Sequence, residues 1–362
     1  MNIKDKNLYY IGGVVRDEIL QVPSFDIDLT YNGNALEFAK SIDDAEILQI
    51  NEPFGTVRIK LNGEEIDIAS TRAESYPNKG NLPVVDRIGC TLKEDVLRRD
   101  FTINAMAKST LTGEITDYTG GLEDIKNKTL RVLHDESFID DPTRIVRGLK
   151  FAIRFGFELD EHTKLLQDNY LSNINYDMSY KRLKKELIET FNLNRWDAFV
   201  RFVNQNIYKL VAPQKFELPK YNFSFLIDKF ANKNIWIIYV GLLPDISNLA
   251  LTREEKQIVD EFIKLKNLKF DSDCEIYKIF KTVPLESVIM YSTKNHEIVE
   301  KYLNGIKDIE VLIDGNDLKS IGITPSPKYR ECFDYILEQK FSNPKLTKNE
   351  EIEIAKEFFK AY

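Results

Sequence analysis

The distribution of strand-like and helix-like patterns along the chain restricts its fold more than any other feature of the sequence. Short β-branched or alternating runs, each bounded by a turn, occur in the first third as YYIGG, DIDLTY, TVRIKL and EEIDIAS. From about Asp135 onward, nearly every segment has apolar residues at helical spacing. The sequence therefore predicts an α+β fold, in which a small mixed sheet with helices is followed by an all-α remainder.

The length of 362 residues accommodates two to four domains. We predict four: a mixed head and then three helical parts called the neck, the body and the tail. Their predicted ranges are 1–134, 135–195, 196–265 and 266–362. Local signals support the elements: LNGEE predicts a hairpin turn, Gly156 a helix C-cap and Asp160 a helix N-cap.

The charge balance restricts the partners of the chain. With 50 basic and 58 acidic residues, the formal net charge is −8, which excludes a uniformly basic nucleic-acid-binding protein. The acidity is uneven, because residues 1–50 carry four basic and nine acidic side chains while residues 201–250 carry six basic and three acidic ones. The positive segment fits either a phosphate-bearing partner or a solvated helix face.

Cysteine and histidine offer no metal or disulfide framework. The cysteines are isolated and the histidines are scattered, without the spacing of a zinc site or a histidine-aspartate doublet. No run of about 18 apolar residues is present, and the N-terminal residues are too polar for a secretion signal. We expect a cytoplasmic protein without membrane segments, whose metal chemistry would use carboxylates.

Three acidic residues stand in strand-like runs. Asp26 and Asp28 are two residues apart, so in a strand both side chains lie on one face. Such a pair is unfavourable without a cation, and its hard oxygen ligands suit Mg²⁺. If the run that contains Asp67 is a neighbouring strand, three carboxylates meet, as a two-metal phosphoryl-transfer site needs. The alternative is an edge strand with its acidic residues in water.

A glycine pair between a predicted strand and a predicted helix is a candidate phosphate site. Gly12 and Gly13 let backbone N–H groups approach an anion at the helix N-terminus. Arg16, one turn into the helix, adds a guanidinium that can form a charge-assisted pair of hydrogen bonds. A tight turn without a ligand explains the two glycines equally well.

Two further charged motifs have both a functional and a structural interpretation. Arg98-Arg99-Asp100 fits a surface ion-pair cluster. In DDPTRIVRGLKF, four charged residues recur every three positions along a predicted helix. An aspartate at such a position can accept a hydrogen bond from an exocyclic amino group of a base, and an arginine can donate one to a ring nitrogen. Cytosine and adenine both offer this combination, so the pair could recognise either base. Alternatively, the arginines are solvent-exposed side chains on the helix surface and bind no ligand.

These motifs occur in a familiar order. The chain resembles the class II tRNA nucleotidyltransferase and poly(A) polymerase family, within the polymerase-β-like nucleotidyltransferases. The matching stretches are IGGVVRDEIL with DIDLT, EIDIASTRAESYPNKGNLPVV, EDVLRRDFTINAMA, DDPTRIVRGLKFAIRFGF and SYKRLKKELIETF. The stretch IDGNDLKSIGITPSPKYRECFDYILEQ is similar to the tail of bacterial tRNA nucleotidyltransferases, which poly(A) polymerases typically lack.

The resemblance implies roles for individual residues. Asp26 and Asp28 would bind Mg²⁺, and Asp67 would help to hold the metal or deprotonate the primer 3′-hydroxyl. Base recognition would use Asp141 and Arg144. The remaining nucleotide contacts would come from Gly12, Gly13, Arg16, Arg99, Asp100, Asn104, Arg147 and Lys150. The neck would recognise the base, and the body and tail would bind tRNA.

The chain departs from the family pattern at two positions. Lys150 stands where an arginine is common, which keeps the charge but loses bidentate geometry. Lys181 stands where an acidic residue is usual, which puts a helix-organising contact in doubt, although Arg182 and Glu186 retain the spacing of an i,i+4 pair.

The activity implied by the resemblance is addition of CMP and AMP, from CTP and ATP, to the 3′ end of tRNA with release of pyrophosphate. The loop RAESYPNKGNLPVVDR is present, and loss of a flexible loop here marks enzymes that add only CC. Full CCA addition is therefore favoured. The alternatives are A-only addition, CC-only addition, poly(A) polymerase, nucleotidylation of a small molecule, and a non-catalytic RNA-binding protein on the same fold.

Overall fold

A computed structural model describes residues 3–24, 27–231 and 233–361. It confirms a mixed α+β head followed by helices. The chain forms two compact units, Met1–Glu217 with Leu243–Ala250, and Leu218–Leu242 with Leu251–Tyr362. The four-part division into head, neck, body and tail stays a prediction.

The first unit contains all the strands of the described residues and half of their α-helices. The strands are β1 (Leu8–Ile11), β2 (Asp28–Tyr31), β3 (Glu46–Asn51), β4 (Thr56–Leu61), β5 (Glu64–Ser70), β6 (Arg72–Ser75), β7 (Val84–Ile88), β8 (Met106–Ser109), β9 (Ile115–Asp117), β10 (Thr129–Leu130) and β11 (Glu158–Leu159). The helices are α1 (Gly13–Leu20), α2 (Ala35–Lys40), α3 (Leu92–Leu97), α4 (Gly121–Lys126), α5 (Ser137–Asp140), α6 (Thr143–Phe155), α7 (Glu161–Ser172), α8 (Tyr180–Phe191) and α9 (Trp196–Asn204).

The second unit is helical throughout its described residues. Its α-helices are α10 (Ser224–Phe230), α11 (Ile235–Val240), α12 (Arg253–Lys266), α13 (Asp273–Phe280), α14 (Leu285–Tyr291), α15 (His296–Asn304), α16 (Gly315–Ser320), α17 (Lys328–Ser342) and α18 (Lys348–Lys360). No helix in the described part of the chain is long and apolar enough to cross a membrane.

A seven-stranded sheet with the order β3-β4-β5-β2-β1-β8-β9 organises the head. β2 and β5 pair in parallel, with Asp28 opposite Asp67 and Leu29 opposite Ile68. Leu29 and Ile68 are buried in the core beneath the sheet. Because side chains alternate along a strand, Asp28 and Asp67 project side by side from the other face. The predicted proximity of these two strands is confirmed.

Local signals are confirmed at three positions. Asn62 and Gly63, with φ of 52° and 86°, form the turn between β4 and β5, and such φ values favour Asn-Gly. Gly156 (φ 68°) caps the C-terminus of α6, and the Asp160 side chain accepts from the Thr163 N–H at the start of α7. All three cysteines are free.

The expectation that strands cease near Asp135 is wrong at one point. β11 pairs in parallel with β10 through two residues on each strand. A two-residue strand is too short to show an alternating pattern, so only the tertiary pairing reveals it.

The last helices of the second unit enclose an ion pair in an apolar core. Ile313, Leu318 and Ile336 are among the buried residues of this core. The Lys340 ammonium lies 2.5 Å from a carboxylate oxygen of Glu351, and both side chains are at most 5% exposed. The other Glu351 oxygen accepts from the backbone N–H groups of residues 312 and 313, at 2.6 and 3.0 Å. Glu351 therefore joins α18 both to α17 and to the segment before α16.

Replacement of Glu351 by glutamine is expected to destabilise this core. The variant leaves the buried Lys340 ammonium without its counter-charge, which costs about 3 to 5 kcal/mol of unfolding free energy. Chemical denaturation of the full chain measures the loss. The matched control is Glu353→Gln on the same helix, whose ion pair with Lys356 is exposed and contributes little. Equal stability of the two variants would contradict the expectation.

Candidate active site

The glycine turn lies at the end of β1, where the chain enters α1. Gly12 has φ 73° and ψ −128°, a conformation that side-chain-bearing residues rarely adopt. A Cβ atom added to Gly12 would lie 2.9 Å from an Nη atom of Arg99. Glycine therefore lets the arginine approach the turn, so that backbone and guanidinium form one wall of a cavity.

The cavity next to this turn has a volume of about 660 Å³. Its lining brings together residues that are far apart in the sequence, from the glycine turn, α1, β2, α6, α8 and the turn after α3. The predicted site residues among them are Gly12, Gly13, Arg16, Asp28, Arg99, Asp100, Asn104, Arg147 and Lys150.

Arg16 is bound mainly to protein groups. Its guanidinium donates to Asp17 Oδ1 at 2.8 and 2.6 Å and to Asn104 Oδ1 at 2.6 Å. It also lies against the Phe151 and Phe155 rings, 5.1 and 4.6 Å from their centroids. Burial lowers the pKa of Arg16, although Asp17 opposes this effect. A phosphate contact by Arg16 stays a prediction, and in the structure the side chain joins α1, Asn104 and α6.

Arg99 is a cation with unused hydrogen-bonding capacity. One Nη atom lies 3.3 Å from Asp95 Oδ2, and the buried Nε has no hydrogen-bond partner among the described residues. Burial lowers the pKa of Arg99, while Asp95 raises it. A partly buried guanidinium that lines a cavity beside a glycine turn is suited to bind an anion.

A buried ion-pair network holds α6 to the turn after α3 and to α8. Arg147 donates from Nε to Asp100 Oδ2 at 2.7 Å and from Nη1 to Glu186 at 3.2 Å. Lys150 donates to Glu186 at 2.7 Å and to Glu189 at 2.5 Å. The motif around Asp100 is therefore not a surface cluster, because its carboxylate is 7% exposed and bonded inside the molecule.

The network fixes the charge of Asp100. Burial alone would raise the pKa of this carboxyl, but Arg147, the Asn104 amide and Arg144 outweigh burial and hold the pKa well below its ordinary value. Burial by itself would lower the pKa of Arg147, and its carboxylate partners Asp100 and Glu186 raise it. Both groups are therefore ionised at neutral pH.

A second cavity, of about 300 Å³, adjoins the first, because Arg99, Asp100 and Arg147 line both. Its lining also includes Asp141 and Arg144. The four charged residues predicted at three-residue spacing, Asp141, Arg144, Arg147 and Lys150, therefore extend from the second cavity, at Asp141, to the first, at Lys150. This winding follows from the three-residue spacing, which falls short of a full helical turn of 3.6 residues.

Asp141 and Arg144, the two residues predicted to recognise the base, are buried and hydrogen-bonded to neighbouring groups. Asp141 Oδ1 accepts from the Thr143 N–H at 3.1 Å and from its hydroxyl at 2.6 Å, while Oδ2 accepts from Arg182. Arg144 donates to the Ser137 hydroxyl at 2.7 Å and to the Tyr76 hydroxyl at 3.2 Å. It also donates to a backbone carbonyl, that of residue 98, at 3.1 Å.

The carboxylates of the sheet are only partly described. Asp28 lines the first cavity, and Asp26 lies outside the described residues. Asp67 forms a bidentate pair with Arg58 on β4, at 2.8 and 2.7 Å. In residues 3–24, 27–231 and 233–361, no group of three or more acidic, histidine or cysteine side chains is arranged to hold a metal ion.

Several residues of the site escaped sequence analysis. Tyr76 and Glu189 gave no pattern, Arg98 indicated only a surface ion-pair cluster, and the spacing of Arg182 and Glu186 indicated a pair within α8. In the structure these two side chains reach across to Asp141 and to the cations of α6. Local spacing indicates neighbours on one helix, and it carries no information about a partner on another.

Comparisons with known proteins identify relatives of this chain. A family model described as the Poly A polymerase head domain matches residues 8–131. The A-adding tRNA nucleotidyltransferase of Halalkalibacterium halodurans is 30% identical over 98% of this chain and 89% of its own length. The A-adding tRNA nucleotidyltransferase of Geobacter sulfurreducens is 29% identical over 96% of this chain, which spans 44% of that protein.

Solved structures of the same kind are similar over most of the chain. An apo form of a CCA-adding enzyme superposes with a TM-score of 0.79 at 27% identity, covering 98% of this chain and 92% of that one. The Thermotoga maritima CCA-adding enzyme complexed with tRNA has a TM-score of 0.75 at 25% identity, covering 97% and 91%. Two further similar structures are CCA-adding enzymes complexed with ATP and with CTP.

The depressed pKa of Asp100 gives a testable pH dependence of stability. A carboxyl whose pKa is lower in the folded state stabilises the fold above its unfolded pKa, near 4, and this contribution disappears as the pH falls toward the folded value. Asp100→Asn is therefore expected to destabilise the protein at pH 7 and by a smaller amount at pH 3. Urea denaturation at both pH values measures the difference, with the exposed Asp43→Asn as control. A deficit that is independent of pH would contradict the assignment.

Proposed function

This chain belongs to the class II tRNA nucleotidyltransferase and poly(A) polymerase family and is a nucleotidyltransferase, and from that premise we propose that it builds CCA at the 3′ end of tRNA from CTP and ATP. One observation supports the proposal most. Helix α6 lines two adjoining cavities, one with the glycine turn and Asp28, the other with Asp141 and Arg144. A nucleoside triphosphate needs these two environments, one for its phosphates and one for its base.

The first cavity is suited to the triphosphate. Arg99 places a guanidinium Nη atom beside the glycine turn, and Lys150 adds an ammonium held by Glu186 and Glu189. Gly12 and Gly13 bring backbone to the same surface at the start of α1, where a helix favours an anion. In the proposal Asn104 and Asp100 position Arg16 and Arg147, which complete the positive surface.

The second cavity is suited to the base. Asp141 accepts hydrogen bonds, and Arg144 only donates them. The exocyclic amino group of cytosine or adenine supplies a donor to the carboxylate, and a ring nitrogen supplies an acceptor to the guanidinium. Guanine and uracil present a carbonyl oxygen where the carboxylate needs a donor. This arrangement favours CTP and ATP without a nucleic-acid template.

The chemical step is proposed at the carboxylates of β2 and β5. Nucleotidyltransferases of this family generally use divalent metal ions. Asp28 and Asp67 offer hard oxygen donors side by side, which suits Mg²⁺, and Asp26 and Asp28 would hold it with Asp67 nearby. Mg²⁺ supplies charge neutralisation at the α-phosphate and at the departing pyrophosphate.

The protein groups orient the reactants and move one proton. Asp67, which Arg58 holds through a bidentate pair, is placed to accept the proton of the tRNA 3′-hydroxyl or to join the metal ligands. The 3′-oxygen then attacks the α-phosphorus, and pyrophosphate leaves toward the cations of the first cavity. Catalysis of this kind consists mainly of positioning and charge stabilisation.

The helical remainder is proposed to hold the tRNA. Residues 196–265 and 266–362 are the predicted body and tail, and the segment 201–250 carries a positive excess. The T. maritima CCA-adding enzyme was solved with tRNA and aligns with 97% of this chain. We place the activity in the cytoplasm.

Loss of the sheet carboxylates is expected to abolish nucleotide addition. Asp28→Ala and Asp67→Asn each remove a group that neutralises or activates the reactants, so kcat should fall by roughly 10³-fold or more. Incorporation of labelled AMP into tRNA ending in CC, with Mg²⁺, measures the effect. Glu64→Gln on the exposed part of β5 is the control. Full activity of Asp28→Ala would refute the proposed catalytic site.

A second candidate, A-only addition, is favoured by the name of the H. halodurans relative. Three tRNA substrates, ending at the discriminator base, at C and at CC, separate the activities when CTP or ATP is supplied alone. Full CCA addition predicts that CTP extends the first two substrates and ATP extends the third. Extension of only the CC-ended tRNA, by ATP, would establish A-only addition instead.

A further inference from the structure

Asp141 has a hydrogen-bond partner that is not among the four charged residues predicted at three-residue spacing. Arg182, on the neighbouring helix α8, donates from an Nη atom to Asp141 Oδ2. We propose that Arg182 is a specificity-determining positioning residue, which holds the Asp141 carboxylate where it can accept from an exocyclic amino group and so makes the site favour bases that carry one over bases that present a carbonyl oxygen. This inference rests on the proposed base-reading role of Asp141.

Every contact made by the Asp141 carboxylate is with a donor. Oδ1 accepts two hydrogen bonds from Thr143, at 3.1 and 2.6 Å, and Oδ2 accepts from Arg182. A carboxylate oxygen can accept a second hydrogen bond, so Oδ2 retains capacity for one more donor. An amino group of adenine or cytosine supplies such a donor.

Arg182 is held in place from its other side. Its second Nη atom donates to the Asn81 carbonyl at 3.3 Å. Asn81 lies in the segment between β6 and β7, and the adjacent Gly80 is itself bonded to the protein on both sides. Its N–H donates to the Asp140 carbonyl, and its carbonyl accepts from the Ser179 N–H, each at 3.0 Å. The Arg182 guanidinium therefore joins the segment between β6 and β7 to the Asp141 carboxylate.

The charge of Arg182 is the reason for the proposed effect. Asp141 is 4% exposed, and burial of an unbalanced carboxylate is costly. Arg144 directs its own hydrogen bonds to Ser137, Tyr76 and a backbone carbonyl. Without Arg182, the Asp141 carboxylate loses both its counter-charge and the contact that fixes the position of Oδ2.

A carboxylate whose Oδ2 is no longer held in place reads the base less well. Adenine and cytosine lose the hydrogen bond from their exocyclic amino group to Asp141, whereas guanine and uracil never form this bond and lose less. Loss of Arg182 is therefore expected to change the ratio between nucleotides, whereas damage to the fold would lower activity with all of them.

The test compares Arg182→Ala, Arg182→Gln and Arg182→Lys in the full chain. The measured quantities are the kcat/KM ratios of ATP to GTP and of CTP to UTP, on tRNA substrates that the wild-type protein extends. For Arg182→Ala and Arg182→Gln we expect each ratio to fall by at least about tenfold, because one of the two proposed hydrogen bonds to the base, that of Asp141, is lost. Arg182→Lys restores the charge and one donor, so its ratios should stay within about threefold of wild type.

Lys181→Ala is the matched control, because it removes one positive charge from the adjacent, exposed position and should leave the ratios unchanged. Thermal melting verifies that each variant is folded, and if Arg182→Ala does not fold, the glutamine and lysine variants decide. Unchanged ratios in folded Arg182→Gln, or equal losses for glutamine and lysine, would overturn the inference.

The experiment separates this inference from the proposed function. If the wild-type protein extends tRNA with ATP or CTP while the variants keep wild-type ratios, the inference alone fails. If the wild-type protein extends no tRNA with either nucleotide, the proposed function fails and the inference fails with it.

Discussion

The ion pair between Asp100 and Arg147 is the interaction on which the site depends. It joins the turn after α3 to α6, and both residues line both cavities. Because Asp100 is buried while the Arg147 side chain is 32% exposed, removal of Arg147 would leave a buried carboxylate unbalanced, which costs more than the loss of an exposed pair. The pair thereby holds the proposed phosphate surface and the proposed base-reading surface at a fixed separation along one helix.

The same rule governs the rest of the site. Asp141 is balanced by Arg182, and Lys150 by the carboxylates of α8. Arg99 differs, since its buried Nε has no hydrogen-bond partner among the described residues. A buried donor without a partner is unfavourable in an empty site and favourable once an anion arrives. The protein therefore keeps unsatisfied hydrogen-bonding capacity on Arg99, a residue that lines both cavities.

Much of the secondary structure of the head was predictable, because interactions between residues close in the sequence determine strands, turns and helix ends. Alternation and the turn at Asn62-Gly63 predicted the hairpin, and Gly156 and Asp160 predicted helix ends. The conditional placement of Asp67 beside Asp28 was correct, since both runs had the pattern of core strands. The pairing of β10 with β11 was missed, and Arg182 was assigned to a pair within its own helix. Both errors concern partners that are distant in the sequence.

By itself, the sequence determined the α+β class, the order of motifs and the family resemblance, because residue type and local spacing encode helices, strands and turns. Tertiary structure decided which charges are buried together. The proximity of Arg99 to Gly12, of Arg182 to Asp141 and of Arg147 to Asp100 depends on how helices pack on the sheet and on each other. Long side chains from separate elements meet only when packing fixes both backbones, so no local pattern specifies such a contact.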